Sequence, residues 1–103
     1  MEIVLHEIVS VGIFNADTRV KNSTVTPKRT TTMFEIEIPT EPGGISYINS
    51  EMSEITPSVV ICAKPGQTRQ TKLPYKCYYI HFILKHGALY DALMDMQSFI
   101  KID

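Results

Sequence analysis

The stretch Phe34-Glu35-Ile36-Glu37-Ile38 decides the class of fold, because its apolar and acidic residues alternate strictly. Successive side chains of a β-strand point to opposite faces, so this period of two predicts a strand with one buried face. The next segment, Pro39–Gly44, holds two prolines and a Gly-Gly pair, which are typical of a turn. Residues 45–49 are then expected to run back as the second arm of a hairpin.

The rest of the chain also favours short strands separated by turns. Val9–Phe14 is the first strand candidate, and the polar residues 15–28 predict either a loop or a weak edge strand. Val59–Ala63 is a continuous apolar run, which is typical of a strand buried on both faces. Residues 68–73 predict a polar edge strand, and Cys77–Leu84 is the longest and most aromatic strand candidate.

The last segment changes its period. Leu89, Leu93, Met96 and Ile100 are spaced by four, three and four residues, which predicts one amphipathic helix over about residues 88–100. Many short strands followed by one helix favour a barrel or a sandwich over βαβ units. The expected fold class is therefore all-β.

Length and composition limit the organisation of the chain. It has 103 residues, of which 44% are hydrophobic and 20% charged, as in an ordinary globular domain. A chain of this size builds one core, so residues 1–103 are expected to form a single domain. The formal net charge is −1, which leaves no overall field to attract nucleic acid or an anionic membrane.

Segments that would direct the chain to a membrane or out of the cell are not evident. No apolar run approaches the roughly 18 residues of a membrane helix, and Met1–Ser10 has no basic region typical of a signal peptide. Two cysteines are too few for a disulfide scaffold. The sequence therefore predicts a cytoplasmic protein without membrane contact.

Motifs of catalytic and metal-binding chemistry are missing as well. The chain has neither the glycine-flanked serine of a nucleophile elbow nor the glycine-rich loop of a phosphate site. Its three histidines show no paired spacing, and Cys62 and Cys77 lie fifteen residues apart without companions. Because a metal site needs three or four converging ligands, we expect no metal and no cofactor.

Some polar residues of the predicted strands leave two interpretations open. Glu35 and Glu37 share a strand face, which is either a solvated outer face or, if desolvated, a carboxylate pair for acid–base work. His81 shares its face with Tyr79. It is either a core histidine with satisfied hydrogen bonds or a polar contact in a mostly apolar pocket.

Four stretches together resemble a known family of sensor domains: Phe34–Pro39, Gly43–Asn49, Ala63–Gln67 and Pro74–Phe82. They are similar to the N-terminal effector-binding and dimerisation domain of AraC-type bacterial transcriptional regulators. The pairing of the Lys-Pro-Gly-Gln turn with the Cys-Tyr-Tyr-Ile-His-Phe strand is the most specific part. Residues 91–100 resemble the short helix that follows the last long strand in that family, and the likeness covers about residues 9–102.

The resemblance implies a cupin-like double-stranded β-helix, a jelly-roll barrel over about residues 9–85, with a short C-terminal helix over about residues 88–100. It also implies that the barrel binds a small effector, such as a sugar or another metabolite. In the full-length protein this binding is expected to act through a homodimer and a C-terminal helix-turn-helix domain, which alone contacts DNA. That domain is absent from this chain, so a truncated regulator is expected ahead of a stand-alone sensor.

Matching the family's aromatic strand onto this sequence places Tyr79 and His81 on the inner face of the barrel. Glu35, Glu37 and Arg29 are the further ligand-binding residues that the resemblance implies. The residues around the Pro-Gly turn lack the histidine of metal-binding cupins, which favours binding over catalysis.

Two alternatives remain open. A stand-alone small cupin would act as an isomerase or epimerase, with Glu35 and His81 as acid and base, or would simply bind a metabolite. A purely structural dimerisation module would fill its barrel with its own side chains.

Overall fold

The structure is a computed structural model that describes residues 7–16 and 24–102. In this part of the chain nine strands and one helix follow one another: β1 (Glu7–Ala16), β2 (Arg29–Thr30), β3 (Phe34–Pro39), β4 (Ile45–Ile48), β5 (Glu51–Glu54), β6 (Val59–Ala63), β7 (Thr68–Lys72), β8 (Tyr75–Ile83), α1 (Ala88–Met94) and β9 (Phe99–Lys101). Residues 17–23, within the segment predicted as a loop or edge strand, lie outside the described residues, as do the two ends of the predicted domain 1–103.

The strands form two antiparallel sheets, which confirms the all-β class. The large sheet has the order β1-β8-β3-β6-β9, and the small sheet has the order β2-β7-β4-β5. Every strand pair is antiparallel. Among the described residues, no helix has the length and apolar character needed to cross a membrane.

The main core lies between the two sheets. Its buried side chains come from both sheets and from the segments that join them: Ile48, Ile55, Val59, Ile61, Ala63, Leu73, Tyr75 and Cys77. The apolar run of β6 supplies three of these residues, in agreement with its predicted burial. This core occupies one part of the space between the sheets, and the polar site described below occupies another.

A second apolar cluster covers part of the outer face of the large sheet. Leu93 of α1 packs there with Phe34 of β3 and Phe82 of β8, and Leu89 and Tyr90 lie against the same cluster. The rings of Phe34 and Phe82 stack with centroids 5.5 Å apart. Leu89 and Leu93 are four residues apart and therefore lie on the same side of α1. They are the part of the predicted apolar stripe that lies in the helix.

The predicted extent of the helix, residues 88–100, is wrong. Helix α1 ends at Met94, and residues 99–101 form β9, which pairs with β6 at the far edge of the large sheet. The Ser98 carbonyl accepts a 2.8 Å hydrogen bond from the Cys62 amide, which joins this segment to the sheet before β9 begins. Phe99 and Ile100 have high strand propensity, and the spacing of apolar residues did not reveal this change from helix to strand.

The predicted hairpin between β3 and the strand that follows it is also wrong. Strand β4 pairs with β5 and β7 in the small sheet, whereas β3 lies in the large sheet. Gly43 and Gly44 both have positive φ values, 129° and 76°, which glycine adopts without steric cost. The Gly-Gly pair therefore carries the chain from one sheet to the other.

Candidate functional site

A cavity of about 310 Å³ opens between the two sheets. Its polar lining comes from both sheets and includes Arg29, Glu37, Arg69, Tyr75, Tyr79 and His81. Apolar and aromatic surface completes the wall. The volume is at the lower end of the roughly 300–1,000 Å³ that small-molecule pockets occupy in proteins.

Strand register brings the acidic residues and the histidine together on one side of the cavity. In the pairing of β3 with β8, Glu35 lies opposite His81 and Glu37 lies opposite Tyr79. Residues directly opposite in an antiparallel pair share a face, so all four side chains share the inner face of the large sheet. Of the two interpretations left open for these glutamates, the solvated outer face is excluded, because Glu35 is 2% exposed and Glu37 is 6% exposed.

The small sheet supplies the opposite charges. In the pairing of β2 with β7, Arg29 lies opposite Arg69, so two guanidinium groups face two carboxylates across the space between the sheets. Arg29 forms a bidentate pair with Glu35, with N–O distances of 2.7 and 2.6 Å. Arg69 Nη1 donates to Glu35 Oε1 at 2.9 Å and to Glu37 Oε2 at 2.8 Å, and Nη2 donates to Glu37 Oε1 at 2.9 Å.

The hydroxyl of Tyr75 completes this network by donating a 2.7 Å hydrogen bond to Glu37 Oε1. Two arginines and two glutamates balance in charge, and both carboxylates accept several charge-assisted hydrogen bonds. Such bonds are roughly twice as strong as neutral ones and fix the geometry of the groups that make them. The site is therefore a rigid and electrically balanced ion-pair network at the cavity wall.

This network sets the ionisation of the buried groups. Burial alone would raise the pKa of Glu37, but the His81 ring, Arg69 and Tyr75 outweigh burial and lower that pKa to about 2. The pKa of Glu35 is also lowered, because Arg29 and Arg69 outweigh the effect of burial. Burial and the Glu37 charge together raise the pKa of Tyr75, so its hydroxyl stays protonated as a donor. Both glutamates are carboxylates at neutral pH.

Two polar groups at the cavity remain unpartnered. Within the described residues, Arg69 Nε and His81 Nε2 are buried without a hydrogen-bond partner. The nearest carboxylate oxygen to His81 Nε2, Glu37 Oε2, is 3.7 Å away, which is beyond hydrogen-bond distance. Buried polar groups are nearly always satisfied in folded proteins, so these two atoms retain unused hydrogen-bonding capacity beside the cavity.

Tyr79 and its neighbours form the rest of the polar wall. Ser10 Oγ donates a 3.1 Å hydrogen bond to the Tyr79 hydroxyl, and the Tyr79 and His81 rings lie with centroids 4.8 Å apart. A Cβ atom at Gly12 would lie 3.1 Å from the Tyr79 hydroxyl. The absence of a side chain at Gly12 therefore leaves room for the Tyr79 ring at the cavity.

The five predicted site residues fall into two groups. Arg29, Glu37, Tyr79 and His81 line the cavity. Glu35 lies behind this lining, where it is bonded to both arginines. That these residues bind a ligand stays a prediction.

Sequence reasoning missed Arg69 and Tyr75. Arg69 lies in β7, which was predicted as a polar edge strand but lies between β2 and β4 within the small sheet. A signal was present, because two carboxylates on one buried face require cations to compensate them. The chain has only ten basic residues from which these cations could come.

Glu35, Glu37 and His81 also form a cluster of metal-ligating groups, whose ligand atoms lie within 4.8 Å of one another. Each carboxylate is already bonded to at least one guanidinium group. A metal ion would have to displace these bonds and add positive charge beside two arginines. The donor set fits a metal ion poorly for this reason.

Comparison with known proteins gives no match. No family model matches the chain, and neither the curated proteins nor the solved structures contain a significant relative.

Proposed function

We propose that the chain is the small-molecule-sensing domain of a cytoplasmic AraC-type transcriptional regulator, and that its two sheets form a cupin-like double-stranded β-helix. The observation that carries the binding part of this proposal is the cavity itself. It has the size of a ligand pocket, and two buried polar groups in its wall lack partners. The sequence resemblance supports the regulatory part.

The ligand expected in this cavity is small, polar and uncharged, such as a sugar. Because Arg29, Arg69, Glu35 and Glu37 balance one another, a ligand charge would find no free counter-charge among these four. A ligand hydroxyl would accept from Arg69 Nε and bond to His81 Nε2. The Tyr79 ring offers an apolar surface for the carbon skeleton.

Binding of this kind would link the two sheets. Arg69 belongs to the small sheet, and His81 and Tyr79 belong to the large sheet. A ligand that contacts both is bound best by one relative arrangement of the sheets. Because the ligand binds this arrangement more tightly than other arrangements of the sheets, it shifts the population of molecules toward it. A homodimer and a C-terminal DNA-binding domain would transmit this preference.

Binding is favoured over the isomerase or epimerase alternative. A general acid at neutral pH needs a raised pKa, whereas the pKa values of Glu35 and Glu37 are lowered. Glu35 is moreover held behind the cavity wall by two arginines. The open cavity equally argues against a barrel filled by its own side chains.

Thermal unfolding of the 103-residue chain with a panel of monosaccharides, polyols and small carboxylates tests the proposal. A ligand at 100 times its Kd adds about 2.7 kcal/mol of stability. We expect His81→Ala to reduce this shift while a control, Met52→Ala on the exposed surface of β5, preserves it. A panel without any shift, or a shift that His81→Ala leaves unchanged, would contradict the proposal.

A further inference from the structure

One edge of the Arg69 guanidinium group makes no hydrogen bond within the described part of the chain. A guanidinium group carries five N–H donors in one plane, and Arg69 uses three of them, all toward Glu35 and Glu37. Nη1 donates to both glutamates and Nη2 donates to Glu37. The two unused donors are therefore the Nε–H and the second hydrogen of Nη2, which lie side by side on the Nε–Nη2 edge.

This edge is on the side of the guanidinium group that faces away from Glu35. Nη1 points toward Glu35, which lies behind the cavity lining, and the Nε–Nη2 edge is opposite Nη1. Arg69 itself lines the cavity, and its side chain is 4% exposed. Its ion pairs fix the orientation of the group before any ligand arrives. The Nε–Nη2 edge is therefore a preorganised pair of donors beside the cavity.

Two parallel donors are best matched by two acceptors that lie side by side in one plane. Carboxylates and phosphates are the usual partners of an arginine edge, but the charges of the ion-pair network already balance. A sugar hydroxyl can accept from one donor of the edge, but it carries a proton of its own. The nearby oxygens of Glu37 already accept from Arg69 and Tyr75. These conditions favour an uncharged, planar group with two neighbouring acceptors.

Aromatic rings form the second feature of the cavity that bears on its ligand. Four of them belong to lining residues: Phe14, Tyr75, Tyr79 and His81. The ring centroids of Tyr79 and His81 are 4.8 Å apart, and those of Phe14 and Tyr75 are 5.9 Å apart. Nucleobases stack on aromatic side chains because every base has a flat π-face. The rings therefore favour a flat ligand independently of the donors of Arg69.

We propose that the ligand of this cavity is a 6-oxopurine base, whose O6 and N7 atoms both accept hydrogen bonds from the Nε–Nη2 edge of Arg69. These two acceptors are neighbours in the plane of the base, and arginine binds the same pair in a bidentate manner when it reads guanine in DNA. The base is uncharged, so it leaves the charge balance of the network unchanged. This inference rests on the proposed function, because it names the ligand class of the same cavity.

Three matched bases, added to the ligand panel above and titrated calorimetrically into the 103-residue chain, test this inference. 9-Methylhypoxanthine offers both O6 and N7 as acceptors. 9-Methyladenine carries an amino donor in place of O6, and 7-deaza-9-methylhypoxanthine lacks the N7 acceptor. We expect the first base to bind about 10- to 100-fold more tightly than either of the others, because each mismatch leaves a donor of Arg69 unpaired.

Two variants separate the donor edge from the aromatic wall. Arg69→Lys preserves the positive charge but removes the paired donors, so the preference among the three bases should fall to within about twofold. Tyr79→Leu should weaken the binding of all three bases by about tenfold or more and preserve their ratio. Met52→Ala, on the exposed surface of β5, should change neither quantity. Circular dichroism of each variant confirms that the fold is intact.

The comparison of the three bases on the unchanged chain does not depend on the folding of any variant. Equal affinities for 9-methylhypoxanthine and 9-methyladenine would overturn the proposal, as would a preference that Arg69→Lys preserves. A chain that binds a monosaccharide or a polyol but none of the bases would also overturn it and would leave the proposed function intact. If the bases and the rest of the panel all fail to bind, the proposed function fails together with this inference.

Discussion

Replacement of Arg69 by methionine is the sharpest probe of the buried ion-pair network. Arg69 is buried and donates three hydrogen bonds to Glu35 and Glu37. Methionine preserves much of the side-chain volume but leaves Glu37 buried with only Tyr75 as a donor. Breaking a buried ion pair by removing one partner costs about 3–5 kcal/mol, because the remaining charge stays desolvated.

The dependence of stability on pH gives a second and independent value for the free energy that the network contributes. The folded pKa of Glu37, about 2, lies below its ordinary value of 4.5. This difference corresponds to about 3 kcal/mol of stability. Because the folded pKa is the lower one, this stability is present above pH 4.5 and is lost as the pH falls toward 2. In Arg69→Met the hydrogen bonds and the charge of Arg69 no longer lower the pKa of Glu37, so its folded pKa moves up toward its ordinary value and less stability is lost as the pH falls below 4.5.

Urea denaturation of both proteins between pH 3 and pH 7 measures the two effects together. We expect a loss of about 3–5 kcal/mol in Arg69→Met at pH 7, and a weaker dependence of its stability on pH between 3 and 4.5 than in the unchanged chain. Lys76→Met is the control, since the Lys76–Glu41 pair lies at the surface and is worth at most about 1 kcal/mol. A loss below about 1 kcal/mol in Arg69→Met, or a dependence of stability on acidic pH equal to that of the unchanged chain, would refute the reasoning.

Two further perturbations test local features of the fold. Gly44→Ala should destabilise the chain by more than about 2 kcal/mol in urea titration, because φ is positive there and the new Cβ would overlap the Lys72 and Pro74 carbonyl oxygens. Gly66→Ala is the control: φ is also positive at Gly66, but the space around it is open, so the substitution should cost only about 1 kcal/mol. Equal losses of stability in the two variants would contradict the argument. The Cys77 thiol, whose pKa burial raises to about 11, should react with iodoacetamide at pH 8 only after unfolding, and rapid alkylation of the native chain would contradict its burial.

Apart from β9, the strands of the large sheet are the part of the fold that the sequence predicts well. The alternation in β3 and the long aromatic run in β8 are local signals, and both strands lie where the pattern places them. The pairing of strands is not predicted equally well, because it depends on how the chain enters and leaves each strand. A Gly-Gly pair permits either a tight hairpin or a crossing to another sheet, and nothing in its local sequence distinguishes them.

Which face of β3 points inward is likewise decided at long range. Periodicity shows that Glu35 and Glu37 share a face, but the usual rule assigns charged faces to solvent. The rule fails here because Arg69, 32 residues beyond Glu37, neutralises the carboxylates inside the fold. At the same time α1 covers Phe34 on the outer side. Two distant segments, one cationic and one apolar, together reverse the apparent inside and outside of the strand.

This reversal bears on why the chain retains charges in its interior. A buried ion-pair network can usually be replaced by apolar residues of similar volume at little cost, or even with a gain in stability. The apolar core beside the cavity shows that this sequence builds such packing between the same two sheets. Stability alone therefore does not account for Arg29, Arg69, Glu35 and Glu37. The preorganised polar wall proposed above would account for them, because fixed hydrogen-bond donors favour a ligand that offers the matching acceptors and disfavour one that leaves them unpaired.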